Sequence, residues 1–86
     1  MRERSLALAV LFGIAALQPA WADRAPTREE QRVIEAVLEV EGFLRWEHIE
    51  LDGDEWEVEG AVAADARRYD LRPDARTLEI VERHRD

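Results

Sequence analysis

The stretch His48-Ile-Glu-Leu-Asp-Gly-Asp-Glu-Trp-Glu-Val-Glu-Gly60 decides the fold. Six of its thirteen side chains are carboxylates, yet the apolar residues keep a period of two on either side of Asp52-Gly53-Asp54. That period marks strands buried on one face. In a hairpin, inward side chains must meet inward ones. With Gly53-Asp54 as a two-residue loop, Leu51 meets Trp56 and Ile49 meets Val58, gathering four apolar side chains on one face. Glycine in the first loop position suits a type II′ turn. Asp52-Gly53 as the loop would give type I′ and set Ile49 against Trp56 instead. In both cases the carboxylates point outward or sit at the turn.

The flanking sequence extends this pattern. Val62 shares the parity of Trp56 and Val58, with Glu55, Glu57 and Glu59 on the opposite face. Tyr69 and Leu71 then alternate with Arg68, Asp70 and Arg72, and Leu78 and Ile80 alternate with Glu79 and Val81. Pro73-Asp74-Ala75-Arg76 between them reads as a turn with Pro at its second position. Pairing Trp56 with Leu71 and Val58 with Tyr69 sets Glu55 opposite Arg72, Glu59 opposite Arg68 and Glu57 opposite Asp70. Leu44 and Trp46 have the wrong parity for Ile49 and Leu51, and a bulge near Glu47 brings Trp46 inward.

Ahead of the strands, Thr27-Arg28-Glu29-Glu30 is a capping box, in which the Thr27 hydroxyl and the Glu30 carboxylate each accept the other residue's backbone N–H. Val33, Ile34, Val37 and Leu38 form an apolar stripe, while Arg32, Glu35 and Glu39 face water. Gly42 suits the left-handed residue that ends a helix. The expected fold is therefore α+β: one N-terminal helix, about Arg28 to Glu41, packed on a four-stranded antiparallel meander in the order α-β-β-β-β.

The first 22 residues read as an export signal. Met1-Arg-Glu-Arg4 is net positive, Leu6 to Leu17 is apolar, and Ala20-Trp21-Ala22 offers small residues for cleavage after Ala22. Twelve apolar residues span about 18 Å of a core roughly 30 Å thick, too little for a membrane anchor. The chain divides into a signal peptide (1–22), a linker (23–27) and one domain (28–86), with a periplasmic or secreted location and no membrane span after cleavage. With no cysteine, neither a lipid anchor on cysteine nor a disulfide is available. The domain depends on one small apolar core, a dimer contact or a partner.

Setting aside Arg2, Glu3 and Arg4, the chain has 19 acidic residues against 10 arginines, and no lysine. That balance disfavours nucleic acid and anionic membranes, whose recognition rests on excess basic charge. Asp52, Asp54 and Glu55 are hard oxygen ligands at a turn, but they lack the alternate spacing and closing bidentate Glu of a calcium loop. His48 and His84, without cysteine, make no structural zinc pattern. Ser5 is the only serine and lies in the export signal, and no glycine-rich phosphate loop is present. The expectation is no enzyme, no cofactor and no metal.

The run Glu35-Ala36 through Glu41-Gly42-Phe43, then Ile49-Glu50-Leu51-Asp52-Gly53, Trp56-Glu57-Val58-Glu59, Tyr69-Asp70-Leu71 and Pro73-Asp74, resembles the PepSY domain. The likeness spans about residues 28 to 83. The final turn keeps Pro73 and Thr77, with Leu78 where the family pattern has glycine. The connection after Gly60 lacks the family's Asp-Gly turn. The resemblance implies a fold similar to one repeat of the beta-lactamase inhibitory protein, a helix on an antiparallel sheet. It also implies the non-catalytic role proposed for a family found in propeptides of thermolysin-like proteases and as small exported proteins: binding and restraining proteases.

Two kinds of function follow. In the first, a PepSY-like module engages another exported protein, such as a protease, through the open face and edges of its sheet, with Glu55, Glu57, Glu59, Arg68 and Arg72 as candidate contacts. In the second, the Asp52 to Glu55 turn senses a small cation or ligand. Self-association as a homodimer is a structural alternative to both.

Overall fold

The computed structural model describes residues 23–86. The export signal expected at 1–22 lies outside the described residues. Helix α1 (Arg28–Val40) is followed by β1 (Phe43–Arg45), β2 (His48–Asp52), β3 (Glu55–Ala63), β4 (Arg68–Pro73) and β5 (Ile80–Arg85). All five strands form one antiparallel sheet in the order β1-β3-β4-β5, with β2 also paired to β3. The four-stranded meander is thus corrected to five strands. What reads as one edge strand is broken at Trp46 and Glu47, and its two pieces share one edge of β3.

That break has a physical reason. Trp46 turns toward the helix, where it packs against the core and donates its indole N–H to Glu35 at 3.3 Å, while Glu47 rejoins the ladder through its N–H to the Glu59 carbonyl. The anticipated bulge near Glu47 is therefore present as a full interruption. Glu35, expected to face water, is half-buried and accepts from both Trp46 and Gln31.

α1 starts at the expected capping box, with Thr27 and Glu30 bonded reciprocally. Arg24 adds a salt bridge to Glu30, and with Thr27 it lowers the Glu30 pKa to about 2. The helix ends at Val40, with Glu41 as cap and Gly42 at φ 98° where the chain reverses into β1. Ile34 and Leu38 are the helix residues fully inserted into the core, beside Phe43, Ile49, Leu51, Trp56, Val58, Ala61 and Leu71. Burying a side chain of that size contributes about 1.5–3 kcal/mol, so these two carry most of what holds the helix down. Phe43 and Tyr69 meet edge to face at 5.7 Å.

The β2–β3 hairpin has the register read from parity: Leu51 opposite Trp56 and Ile49 opposite Val58. Gly53 has φ 69° while Asp54 stays at negative φ, the type II′ arrangement. The β3–β4 register differs from expectation. Val58, not Trp56, faces Leu71, and Ala61, not Val58, faces Tyr69. The cause is a bulge in which Glu59 and Gly60 together oppose Asp70. Gly60 has φ 68°, and its N–H donates to the Asp70 carboxylate at 3.2 Å. The extra residue reverses phase, so Ala61 takes the core position and Val62 is buried outside the core cluster.

Two further turns depart from the sequence reading. Pro73 is the buried last residue of β4, opposite Ile80, rather than a turn residue. The turn is built on Asp74, whose carboxylate accepts from the N–H groups of Arg76 and Thr77. Leu78 lies there at φ 64°, the left-handed region that favours glycine, with its side chain packed on the core. Ala75 donates to the Asp54 carbonyl at 2.9 Å, which ties this turn to the tip of the β2–β3 hairpin.

Candidate functional site

With the apolar side chains of β2 and β3 under the helix, the opposite face of the sheet takes their alternating partners. The ladder sets His48 opposite Glu59, Glu50 opposite Glu57, and Asp52 opposite Glu55. Like charges directly opposed across a sheet are destabilising. Folding thus assembles an acidic face against its own repulsion.

Arg72 on β4 answers part of this. Its guanidinium donates to Glu55 at 2.7 Å and to Asp52 at 2.9 Å, and lies 4.0 Å from Glu57. Those two bonds hold the Arg72 pKa above its ordinary value. Glu57 is left in a poorer place. Burial and then the charge of Glu59 raise its pKa, Asp52 and Glu50 add to the effect, and Arg72 opposes it.

Of the five candidate contact residues, the structure brings Glu55, Glu57 and Arg72 together. The expected pairing of Glu55 with Arg72 is made diagonally, because the bulge moves the register. Glu57 falls level with Arg72 and not with Asp70. Glu59 does not meet Arg68; it is exposed beside His48. Arg68 lies beyond the bulge, opposite Val62, and binds Glu47 at 2.8 Å and Asp86 at 3.4 Å. Glu50 also lies on this face, opposite Glu57, and its parity with Asp52 in the opening stretch already placed it there.

The Asp52–Glu55 turn does not present a converging ligand set. Asp52 and Glu55 are bonded to Arg72, and among the described residues no three His, Asp or Glu side chains are grouped to hold a metal ion. A separate cleft of about 330 Å³ opens between the start of α1 and the β4–β5 turn, floored by Ile34 and Trp56 and rimmed by Glu29, Val33, Arg76 and Leu78. No helix of the described residues is long and apolar enough to cross a membrane.

No curated protein and no solved structure is significantly similar to the chain. The chain does match a family model, described as peptidase propeptide and YPEB domain, over residues 5–84. The match covers most of the chain, which therefore belongs to the PepSY family, a non-catalytic type of domain that its description associates with peptidase propeptides.

Proposed function

We propose that this domain is an exported, non-catalytic module that binds and restrains a peptidase through the acidic outer face of its sheet. The carrying observation is the line of opposed carboxylates Glu50–Glu57 and Asp52–Glu55, only partly neutralised by Arg72. A basic surface on the partner would relieve the repulsion between them on binding, so the face favours association over isolation. Glu50, Glu57 and Glu59 are the carboxylates offered to that partner. Glu55 and Arg72 hold the face in shape, and Arg68 anchors its far end through Glu47. The family's description supports the peptidase, and the apolar run with Ala20-Trp21-Ala22 supports export.

Co-purification from an exported fraction tests the reading. A tagged protein should retain a discrete partner at about 0.15 M salt, and a Glu50→Gln, Glu57→Gln, Glu59→Gln variant should lose it. Recovery of only abundant basic proteins, all released by modest salt, would count against a specific partner.

A further inference from the structure

The chain treats the two edges of its sheet differently. On the β2 edge, Leu51 donates its outward N–H to the Arg24 carbonyl at 2.7 Å and accepts the Arg24 N–H at 3.4 Å, so the segment ahead of α1 pairs with that edge at Leu51. Among the described residues strand β5 pairs with β4 alone, and five of its six residues are exposed. The phase of the ladder fixes which of its groups face out. Asp86 donates its N–H to the Arg68 carbonyl at 3.0 Å, and bonded and unbonded pairs alternate along an antiparallel ladder. The regular register from Tyr69–Arg85 to Arg72–Glu82 then turns the backbone of Glu82 and His84 toward β4, and that of Arg83 and Arg85 outward. An outward row of this kind is a template for another strand.

The side chains restrict which strand fits. Arg83 and Arg85 stand opposite Leu71 and Tyr69, which pack in or against the core, so both guanidinium groups lie on the helix side of the sheet. Arg83 shares its charge with Glu41 and lies 5.7 Å over the Phe43 ring, while Arg85 has no salt-bridge partner among the described residues. A second copy of the chain is a poor occupant. Antiparallel self-pairing that joins the outward groups sets Arg83 against Arg83, or Arg83 against Arg85. A shift the other way sets Glu82 against Glu82. Each opposes like charges directly.

We propose that the β5 edge accepts an extended segment of a partner protein as a sixth strand, and that it selects segments with carboxylates at alternate positions, opposite Arg83 and Arg85. Main-chain bonds supply the affinity and alternate side chains the selectivity. An acid-x-acid segment meets this requirement in an antiparallel pairing, where the N–H groups that face β5 belong to the acidic residues themselves. The edge is separate from the acidic outer face, so the inference stands without that reading.

The test titrates the isotopically labelled exported protein with the peptide acetyl-Thr-Val-Glu-Thr-Glu-Val-Thr-amide and follows backbone amides by NMR. The Arg83 and Arg85 amides should shift and gain protection from solvent exchange, whereas those of Glu82 and His84, already bonded to β4, should not gain protection. Replacing both peptide glutamates by lysine should weaken binding about tenfold, and Arg85→Glu should narrow or reverse that preference. N-methylation of the two glutamates should abolish binding by removing the donors that face β5. Equal binding of the lysine peptide, unchanged binding after N-methylation, or no response at about millimolar peptide would each overturn the proposal. So would sedimentation showing a dimer that the acidic peptide disperses, since the occupant would then be a second copy.

Discussion

Replacing Arg72 by glutamine removes the cation that Asp52, Glu55 and Glu57 share. Two charge-assisted bonds at 2.7 and 2.9 Å are lost from a guanidinium only 26% exposed, and Glu50 still faces Glu57 across the ladder. Fully exposed pairs are worth about 0.2–1 kcal/mol each. This two-pronged, half-buried arrangement belongs at the top of that range, so Arg72→Gln should cost about 1–2 kcal/mol at neutral pH and low salt. For a domain of this size that lowers the melting temperature by roughly 4–16 °C. Thermal unfolding followed by circular dichroism reads the effect directly. The deficit should shrink by about half in 0.5 M salt, where the screening length is only about 4 Å. Arg72→Lys should recover less than half of it, because an ammonium lacks the planar fork. A deficit that persists unchanged in about 0.5 M salt would show that Arg72 acts by packing, and the electrostatic reading of the face would fail.

Three other perturbations probe neighbouring parts of the fold. Glu57→Gln should stabilise the protein by about 0.3–1 kcal/mol at pH 7, because the raised pKa means the folded state penalises the charged form. That advantage should fade as pH falls through the raised Glu57 pKa and be lost below the ordinary glutamate value near 4.3, measured by denaturant unfolding across the range. Gly60→Ala should cost about 1–2 kcal/mol, since the residue sits at φ 68° and a Cβ would come within 2.7 Å of the Glu47 side chain; a neutral result in the same assay would contradict the bulge. Ala66→Gly should raise stability by about 0.5–1 kcal/mol, because the exposed Ala66 is held at φ 71° in the β3–β4 turn, and a loss would place that residue outside the left-handed region.

Local rules made the helix and the first full hairpin legible. The capping box names both partners of its reciprocal bond, Gly42 ends α1, and the parity of Ile49, Leu51, Trp56 and Val58 allows the Gly53-Asp54 loop that the structure adopts. The β3–β4 register was not legible by parity, because Val62 is apolar and continues the alternation past a residue that breaks it. The available signal was Gly60 itself, since glycine within a strand marks a bulge. Its consequence, that Arg72 reaches Glu55 and Asp52 diagonally while Arg68 is drawn to Glu47, depends on a tertiary shift that spacing alone does not reveal. The same holds for Glu35, a helix carboxylate held inward by the indole of Trp46, eleven residues away. Leu78, read both as an inward residue of the last strand and as a departure from a family glycine, instead lies ahead of that strand, which starts at Ile80, in a left-handed conformation that suits glycine, with its side chain against the core.

Restraint of an exported peptidase by the acidic face, as proposed, has a direct readout. The most direct measurement adds increasing amounts of the purified protein to the exported fraction of the organism that makes it and follows peptidase activity. Inhibition should saturate near stoichiometry with one enzyme, leave the protein intact, and weaken at least about tenfold when Glu50, Glu57 and Glu59 are replaced by glutamine. Peptidase activity unchanged at saturating protein, or inhibited equally by the substituted face, would contradict it.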